Sequence, residues 1–89
     1  MTPNERIQYH LAEVAGLCYE ISANSEADCF FNYSPHVNYF DVHVYESGWA
    51  KKDECECEVY ASCTEVTQDN LMDVLDKLYA LRAKMGGGQ

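Results

Sequence analysis

The spacing of apolar residues changes twice along this 89-residue chain, and that change constrains the fold more than any other feature. Near both ends, apolar side chains recur every three or four positions, which is the period of one face of an α-helix. Between them lie three segments in which apolar and polar side chains alternate with a period of two, as in strands with one buried face. The sequence therefore predicts the order α-β-β-β-α.

The first helix has a marked start. Thr2-Pro3-Asn4-Glu5 fits a capping box, with Thr2 as the N-cap residue and the Glu5 side chain reaching back to it. The residues on its apolar face are Ile7, Leu11, Val14, Leu17, Cys18 and Ile21. We expect the helix to end near residues 22–25, where Ser and Asn side chains compete for backbone hydrogen bonds.

The last helix also has a marked start. Thr67 is a suitable N-cap, Asp69 lies near the positive end of the helix dipole, and Val66 can pack on Leu71. Its apolar face comprises Leu71, Val74, Leu75, Leu78, Leu81 and Met85. The glycines at 86–88 end the helix.

The three period-two segments predict which side chains face the core. In the first, the inward residues are Cys29, Phe31 and Tyr33, and the outward residues are Asp28, Phe30 and Asn32. The second runs from Val37 to Glu46, with Phe40, Val42 and Val44 inward and Tyr39, Asp41, His43 and Tyr45 outward. The third contains "DECECEVYASC" (residues 53–63), and its predicted inward residues are Cys55, Cys57, Val59, Ala61 and Cys63. Its predicted outward residues are Glu54, Glu56, Glu58, Tyr60 and Ser62.

Short connections favour an antiparallel meander, because neighbouring strands then pair in chain order. A turn is predicted around Pro35 and a hairpin connection over residues 47–52. The single apolar face of the sheet needs a cover, which the two helices supply by packing side by side. The prediction is one α+β domain over residues 1–89, with 85–89 as a flexible glycine-rich tail.

The order of elements resembles that of the double-stranded-RNA-binding domain over nearly the whole chain. That family binds RNA phosphates with lysines at the start of its last helix. The matching positions here are Gln68, Asp69 and Asn70, so the resemblance implies a layout and no RNA binding. The cations of this helix are nearer its other end, at Lys77, Arg82 and Lys84.

The charge balance narrows the classes of partner. Fifteen acidic residues face six basic ones, for a net charge of −9. Such a surface repels phosphate backbones and anionic lipids, so we expect no direct nucleic-acid or membrane binding and favour a protein partner with a basic surface. No segment approaches the ~18 apolar residues of a membrane span, and the first residues lack a secretory pattern. We therefore expect a cytoplasmic protein with reduced cysteines.

A zinc site at Cys55 and Cys57 with His36, His43 or Cys63 is the first chemical alternative. Structural zinc needs four ligands, usually from C-x₂₋₄-C pairs, whereas the spacing here is C-x-C. Strand alternation also points these cysteines inward and His43 outward, so the sequence predicts buried thiols and no metal. A β-bulge that shifts the alternation by one residue would reopen the question of a zinc site.

Three other chemistries are also disfavoured. A nucleophilic cysteine needs a nearby cation, and Cys55 and Cys57 neighbour glutamates instead. Asp41 and His43 share a strand face, but the sequence places no third catalytic residue beside them. The carboxylates of Asp41, Glu54, Glu56 and Glu58 lie in a flat row that cannot wrap calcium or magnesium. We predict no catalytic residue and no cofactor.

The outward face of the sheet is the predicted binding site, because aromatic residues in an acidic frame are typical of protein interfaces. The partner-binding residues are predicted to be Tyr39, Asp41, His43, Tyr45, Trp49, Glu54, Glu56, Glu58 and Tyr60. The leading hypothesis is an inhibitor of phage or mobile-element type, whose acidic surface mimics nucleic acid and occupies the basic groove of a nucleic-acid-handling protein. The alternatives are a homodimeric accessory protein, and a small enzyme that uses a metal or the His–Asp pair.

Overall fold

A computed structural model describes residues 1–49 and 57–85 of the chain. The elements in chain order are α1 (Pro3–Asn24), β1 (Asp28–Ser34), β2 (Tyr39–Tyr45), β3 (Glu58–Glu65) and α2 (Gln68–Lys84). The sheet order is β1-β2-β3, and both neighbouring pairs are antiparallel. The predicted α-β-β-β-α meander is therefore confirmed. Residues 50–56 and 86–89, which include Glu54, Glu56 and Cys55, lie outside the described residues.

Thr2 and Thr67 are the N-cap residues of α1 and α2, as the sequence predicts. The Thr2 N–H donates to Glu5 Oε1 over 2.8 Å, and the Glu5 N–H donates to Thr2 Oγ1 over 3.1 Å. The first of these bonds lowers the pKa of Glu5, because it stabilises the ionised carboxylate. At α2, Thr67 Oγ1 accepts from the Asn70 N–H over 3.1 Å. These bonds satisfy N–H groups that the first helical turn would otherwise leave unpaired.

The core lies between the sheet and the two helices, which cover the same face of the sheet. Helix α1 packs on β1, α2 packs on β3, and the helices pack on each other. Apolar residues of every element except β1 are buried in this layer, and the largest fully buried ones are Val14, Ile21, Phe40, Val42, Val44, Leu71 and Leu78. The predicted helix stripes and the inward face of β2 are confirmed. Met85, which caps α2, packs against the same core.

Strands β1 and β2 pair without interruption, from Asp28 opposite Tyr45 to Ser34 opposite Tyr39. The turn between them closes with a 3.3 Å bond from the Asn38 N–H to the Pro35 carbonyl, and Asn38 has a φ of +57°. Strand β2 therefore begins at Tyr39, two residues later than the alternation predicts.

Strands β2 and β3 pair with two register shifts. Phe40 lies opposite Thr64 and Val42 opposite Ala61, so β3 uses one residue more than β2 in this interval. The extra residue is accommodated at Cys63, whose φ is +47° and whose N–H donates to Asp41 Oδ1 over 2.8 Å. A second shift follows at once, because His43 lies opposite Val59. These are β-bulges, which insert an unpaired residue and turn the following side chains to the other face.

The bulges correct the predicted orientation of the third strand. Val59 lies opposite the outward residue His43 and is 52% exposed, and Cys63 is exposed as well. Glu58 instead lies opposite the buried Val44. Tyr60 also faces the helices, with the Lys77 amino group 5.9 Å from its ring centroid. The predicted faces of Cys57, Val59, Cys63, Glu58 and Tyr60 are wrong, because strict alternation holds only while the strands stay in register.

Candidate binding surface on the outer sheet face

The sheet has a second face, which we call the outer face. In the described part of the chain both helices lie on the opposite side, so no described helix covers it. Phe30, His43 and Val59 form a row across the three strands, since Phe30 and Val59 each lie opposite His43. Other described residues of this face include Asp28, Asn32, Tyr39, Asp41, Tyr45, Cys57, Ser62 and Glu65.

Three aromatic rings meet at one end of the outer face. The centroids of Tyr45 and Trp49 are 5.1 Å apart, those of Phe30 and Trp49 5.4 Å, and those of Phe30 and Tyr45 5.8 Å. All three pairs are edge-to-face, a geometry worth about 0.5–1.5 kcal/mol per pair beyond the buried area. Phe30 remains 45% exposed and Trp49 47% exposed. The cluster is thus ordered by its own contacts and still open to a partner.

The turn after β2 brings Trp49 to this cluster. Gly48 has a φ of +93°, and its N–H donates to the Tyr45 carbonyl over 3.0 Å. The next N–H, that of Trp49, donates to Asp28 Oδ2 over 2.7 Å. The turn therefore ties residue 49 to the first residue of β1, which holds the Trp49 backbone beside the outer face.

His43 and Cys57 lie side by side on the outer face. The distance from His43 Nδ1 to Cys57 Sγ is 3.9 Å. This contact corrects the prediction that the two side chains lie on opposite faces of the sheet, and its cause is the bulged register of β3.

A shallow recess of about 340 Å³ adjoins His43, and it is lined by Phe30, Asn32, Asp41, His43 and Ser62. It brings a hydroxyl, an imidazole and a carboxylate to one place. Among the described residues, however, no hydrogen bond joins Ser62, His43 and Asp41, and Asp41 Oδ1 accepts from the Cys63 amide instead. A Ser–His–Asp relay needs such bonds to orient the imidazole.

The carboxylates of the outer face differ from the predicted frame. Asp28, Asp41 and Glu65 are there, whereas Glu58 faces α2 and shares a hydrogen bond with Glu46. That bond, burial and the like charge of Glu46 raise the pKa of Glu58. The pKa of Glu46 is lowered by the same bond and by Lys84, whose Nζ lies 2.7 Å from Glu46 Oε1.

Tyr60 belongs to the same group on the helix side of the sheet. Burial, with the nearby charge of Glu58, raises the pKa of its hydroxyl to about 12. Its ring packs against the core, so Tyr60 supports the sheet from within and does not add to the outer face.

Five of the nine predicted partner-binding residues, Tyr39, Asp41, His43, Tyr45 and Trp49, lie on or beside the outer face. Glu58 and Tyr60 lie on the opposite side, and Glu54 and Glu56 are outside the described residues. The predicted site omitted three residues that the structure adds, namely Phe30, Val59 and Cys57. The alternation of β1 does identify Phe30 as outward, whereas no sequence signal marks the bulges that expose the other two.

Cys18 and Cys29 pair on the other side of the sheet. A thiol–thiol hydrogen bond and burial raise the pKa of Cys18. The same bond lowers the pKa of Cys29, while burial opposes it. Both residues contribute to the core layer as predicted, and neither adjoins the recess of the outer face.

Within residues 1–49 and 57–85, no three His, Cys, Asp or Glu side chains form a metal-binding group. In the same ranges neither helix has the length and apolar composition needed to cross a membrane. Comparison of the chain with protein-family models, with curated proteins and with solved structures finds no match.

Proposed function

We propose that this chain is a non-enzymatic protein-binding module that binds its partner through the outer face. The cluster of Phe30, Tyr45 and Trp49 is the observation that supports this function. Exposed aromatic rings are costly to leave in water, and they are enriched at the centres of protein interfaces. Here two of the three rings are about half exposed and lie beside a recess of side-chain size.

The charge of the chain suggests the chemistry of the partner. A net charge of −9 accelerates association with a basic protein, and like-charged proteins are repelled. Asp28 lies beside the aromatic cluster, and Asp41 and Glu65 lie farther along the outer face, so all three can pair with Lys or Arg at the rim of an interface. We infer that the partner is a protein with a basic groove, of the kind that handles nucleic acid, and that binding inhibits it as phage and mobile-element inhibitors do.

The test is affinity capture with matched baits in the presence of a metal chelator. The first variant is Phe30→Ala, which removes a half-exposed ring from the outer face. The control is Tyr19→Ala, which removes a more accessible ring, 76% exposed against 45% for Phe30, from α1 on the helix side. Loss of an interface hot spot costs about 2 kcal/mol or more, which corresponds to roughly 30-fold weaker binding.

We expect the wild-type and Tyr19→Ala baits to retain a basic partner that elutes as salt rises, because rim charges are screened beyond about 8 Å at physiological ionic strength. The Phe30→Ala bait should retain much less of it. Equal retention by all three baits would show that the outer face is not the binding surface. A captured partner that is acidic or unaffected by salt would contradict the inferred chemistry.

A further inference from the structure

The contact between His43 and Cys57 has the geometry of half a metal site. Imidazole nitrogen and thiolate sulfur are the ligands that zinc takes most often in structural sites. With Zn–N near 2.0 Å and Zn–S near 2.3 Å, two such ligands on a tetrahedral ion lie about 3.5 Å apart. The distance between His43 Nδ1 and Cys57 Sγ is 3.9 Å. A small rotation of either side chain would bring both atoms onto one ion.

The described part of one chain supplies two of the four ligands that structural zinc requires. No third His, Cys, Asp or Glu side chain joins this pair among the described residues. Asp41, two positions away on the same strand, has its Oδ1 bonded to the Cys63 amide over 2.8 Å. The two remaining positions on the ion would therefore be open to ligands from outside the described chain.

The surroundings of the pair suit a second copy of this chain. His43 is on the central strand, between Phe30, which is 45% exposed, and Val59, which is 52% exposed. This row itself contains no carboxylate, and the charges that repel a second copy, those of Asp28, Asp41 and Glu65, lie elsewhere on the same face. Packed sheets lie about 10 Å apart. Two imidazole arms, each roughly 5 Å from backbone to metal including a Zn–N bond of about 2 Å, span that distance.

We propose that two copies of this chain bind one Zn²⁺ ion between their outer faces, each contributing His43 Nδ1 and Cys57 Sγ. The site is then Cys₂His₂, with a two-fold axis through the metal. Each Cys57 thiol loses one proton, so two protons leave as one ion binds, and no group is oxidised or reduced. Each His43 binds as the neutral ring with its proton on Nε2.

The proposal uses the same face as the proposed function but does not depend on a basic partner. Since a dimer covers the outer face, Zn²⁺ and the partner compete for it. The metal is therefore expected to lower partner capture, which makes the binding module responsive to zinc.

The experiment uses the full chain, reduced with a phosphine and stripped of metal. Zn²⁺ or Co²⁺ is added while mass is followed by light scattering and bound metal by elemental analysis. We expect one ion per two chains, a doubling of mass, and a Co²⁺ spectrum with thiolate charge transfer and intense tetrahedral bands. His43→Ala and Cys57→Ser should each abolish all three signals. The urea midpoint of each variant shows that it is folded.

Two serine variants are the controls. Cys63→Ser replaces an exposed thiol of the same strand, and Cys55→Ser replaces the thiol two positions before Cys57. Both should dimerise with zinc as the wild type does. One ion per chain without a change of mass, or loss of binding in Cys55→Ser, would overturn the bridged site, as would zinc-dependent dimerisation of Cys57→Ser. None of these outcomes affects partner capture in chelator, so the proposed function is tested separately.

Discussion

Gly48 is the position where one added methyl group should cost most at the outer face. Its φ of +93° is a backbone conformation that residues with a Cβ rarely adopt. A Cβ built there would lie 2.9 Å from the Glu26 carbonyl oxygen, closer than normal contact. That oxygen belongs to the backbone and cannot rotate away. We therefore expect Gly48→Ala to shift the turn and to move Trp49 away from Phe30.

The magnitude follows from two costs. A left-handed conformation costs a residue with a Cβ roughly 1–2 kcal/mol, and relieving the short contact brings the total to about 2–3 kcal/mol. The same substitution at Gly16 should have the opposite effect on the free energy of unfolding. Gly16 is in the middle of α1, and no atom lies within 4 Å of a Cβ built there. Gly16→Ala should stabilise the protein by about 0.5–1 kcal/mol.

Urea denaturation of the two variants and the wild type tests whether Gly48→Ala destabilises the protein and Gly16→Ala stabilises it. The chain has one tryptophan, so fluorescence follows the outer face, and far-ultraviolet circular dichroism follows the helices. For a domain of this size, 2–3 kcal/mol lowers Tm by roughly 10–20 °C. If Gly48→Ala is as stable as the wild type and keeps its native tryptophan emission, the turn does not require glycine. The account of how Trp49 is positioned would then be refuted.

Three further changes address the core, a cap and a pair of carboxylates. Phe40→Ala leaves a cavity under β2 and should cost about 3–5 kcal/mol, measured by the urea midpoint; a cost below 1 kcal/mol would contradict full burial. Thr67→Ala removes the bond to the Asn70 N–H and should cost about 1 kcal/mol, whereas Thr67→Asp should preserve stability. The fold raises the pKa of Glu58. The contribution of Glu58 to folding stability is therefore present below its pKa in the unfolded chain and is lost as the pH rises through its pKa in the folded protein. Glu58→Gln should therefore stabilise the protein at pH 7 by about 0.3 kcal/mol, with no gain at pH 3.5, where Glu58 is already protonated; an equal gain at both pH values would exclude repulsion by Glu46 as the cause.

Local sequence signals determined the helices and two of the three strands. Thr2 and Thr67 are N-caps because the hydroxyl of each accepts a hydrogen bond from the amide three residues later, which is a relation inside one short segment. The inward face of β2 was equally predictable, since its pairing with β1 is regular.

Local sequence signals do not predict which face each side chain of the third strand occupies. Its alternation is clear in the sequence, but the register is decided by its pairing with β2. Asp41 on β2 accepts a hydrogen bond from the Cys63 N–H on β3, and this contact between the strands occurs at the first bulge. Beyond the second bulge, Cys57 contacts His43 and Glu58 lies near α2. A prediction made from one strand cannot include a hydrogen bond supplied by another.

By itself the sequence determined the order of the elements, the helix boundaries, the apolar residues that the helices and β2 bury, and the strong negative charge, because these depend on spacing and composition within short segments. Only the tertiary structure decided which side chains share the outer face. The Phe30–Trp49 contact joins β1 to the turn after β2, and the His43–Cys57 contact depends on a one-residue change of register. Since side chains alternate with a period of two, each one-residue shift moves every following side chain to the other face.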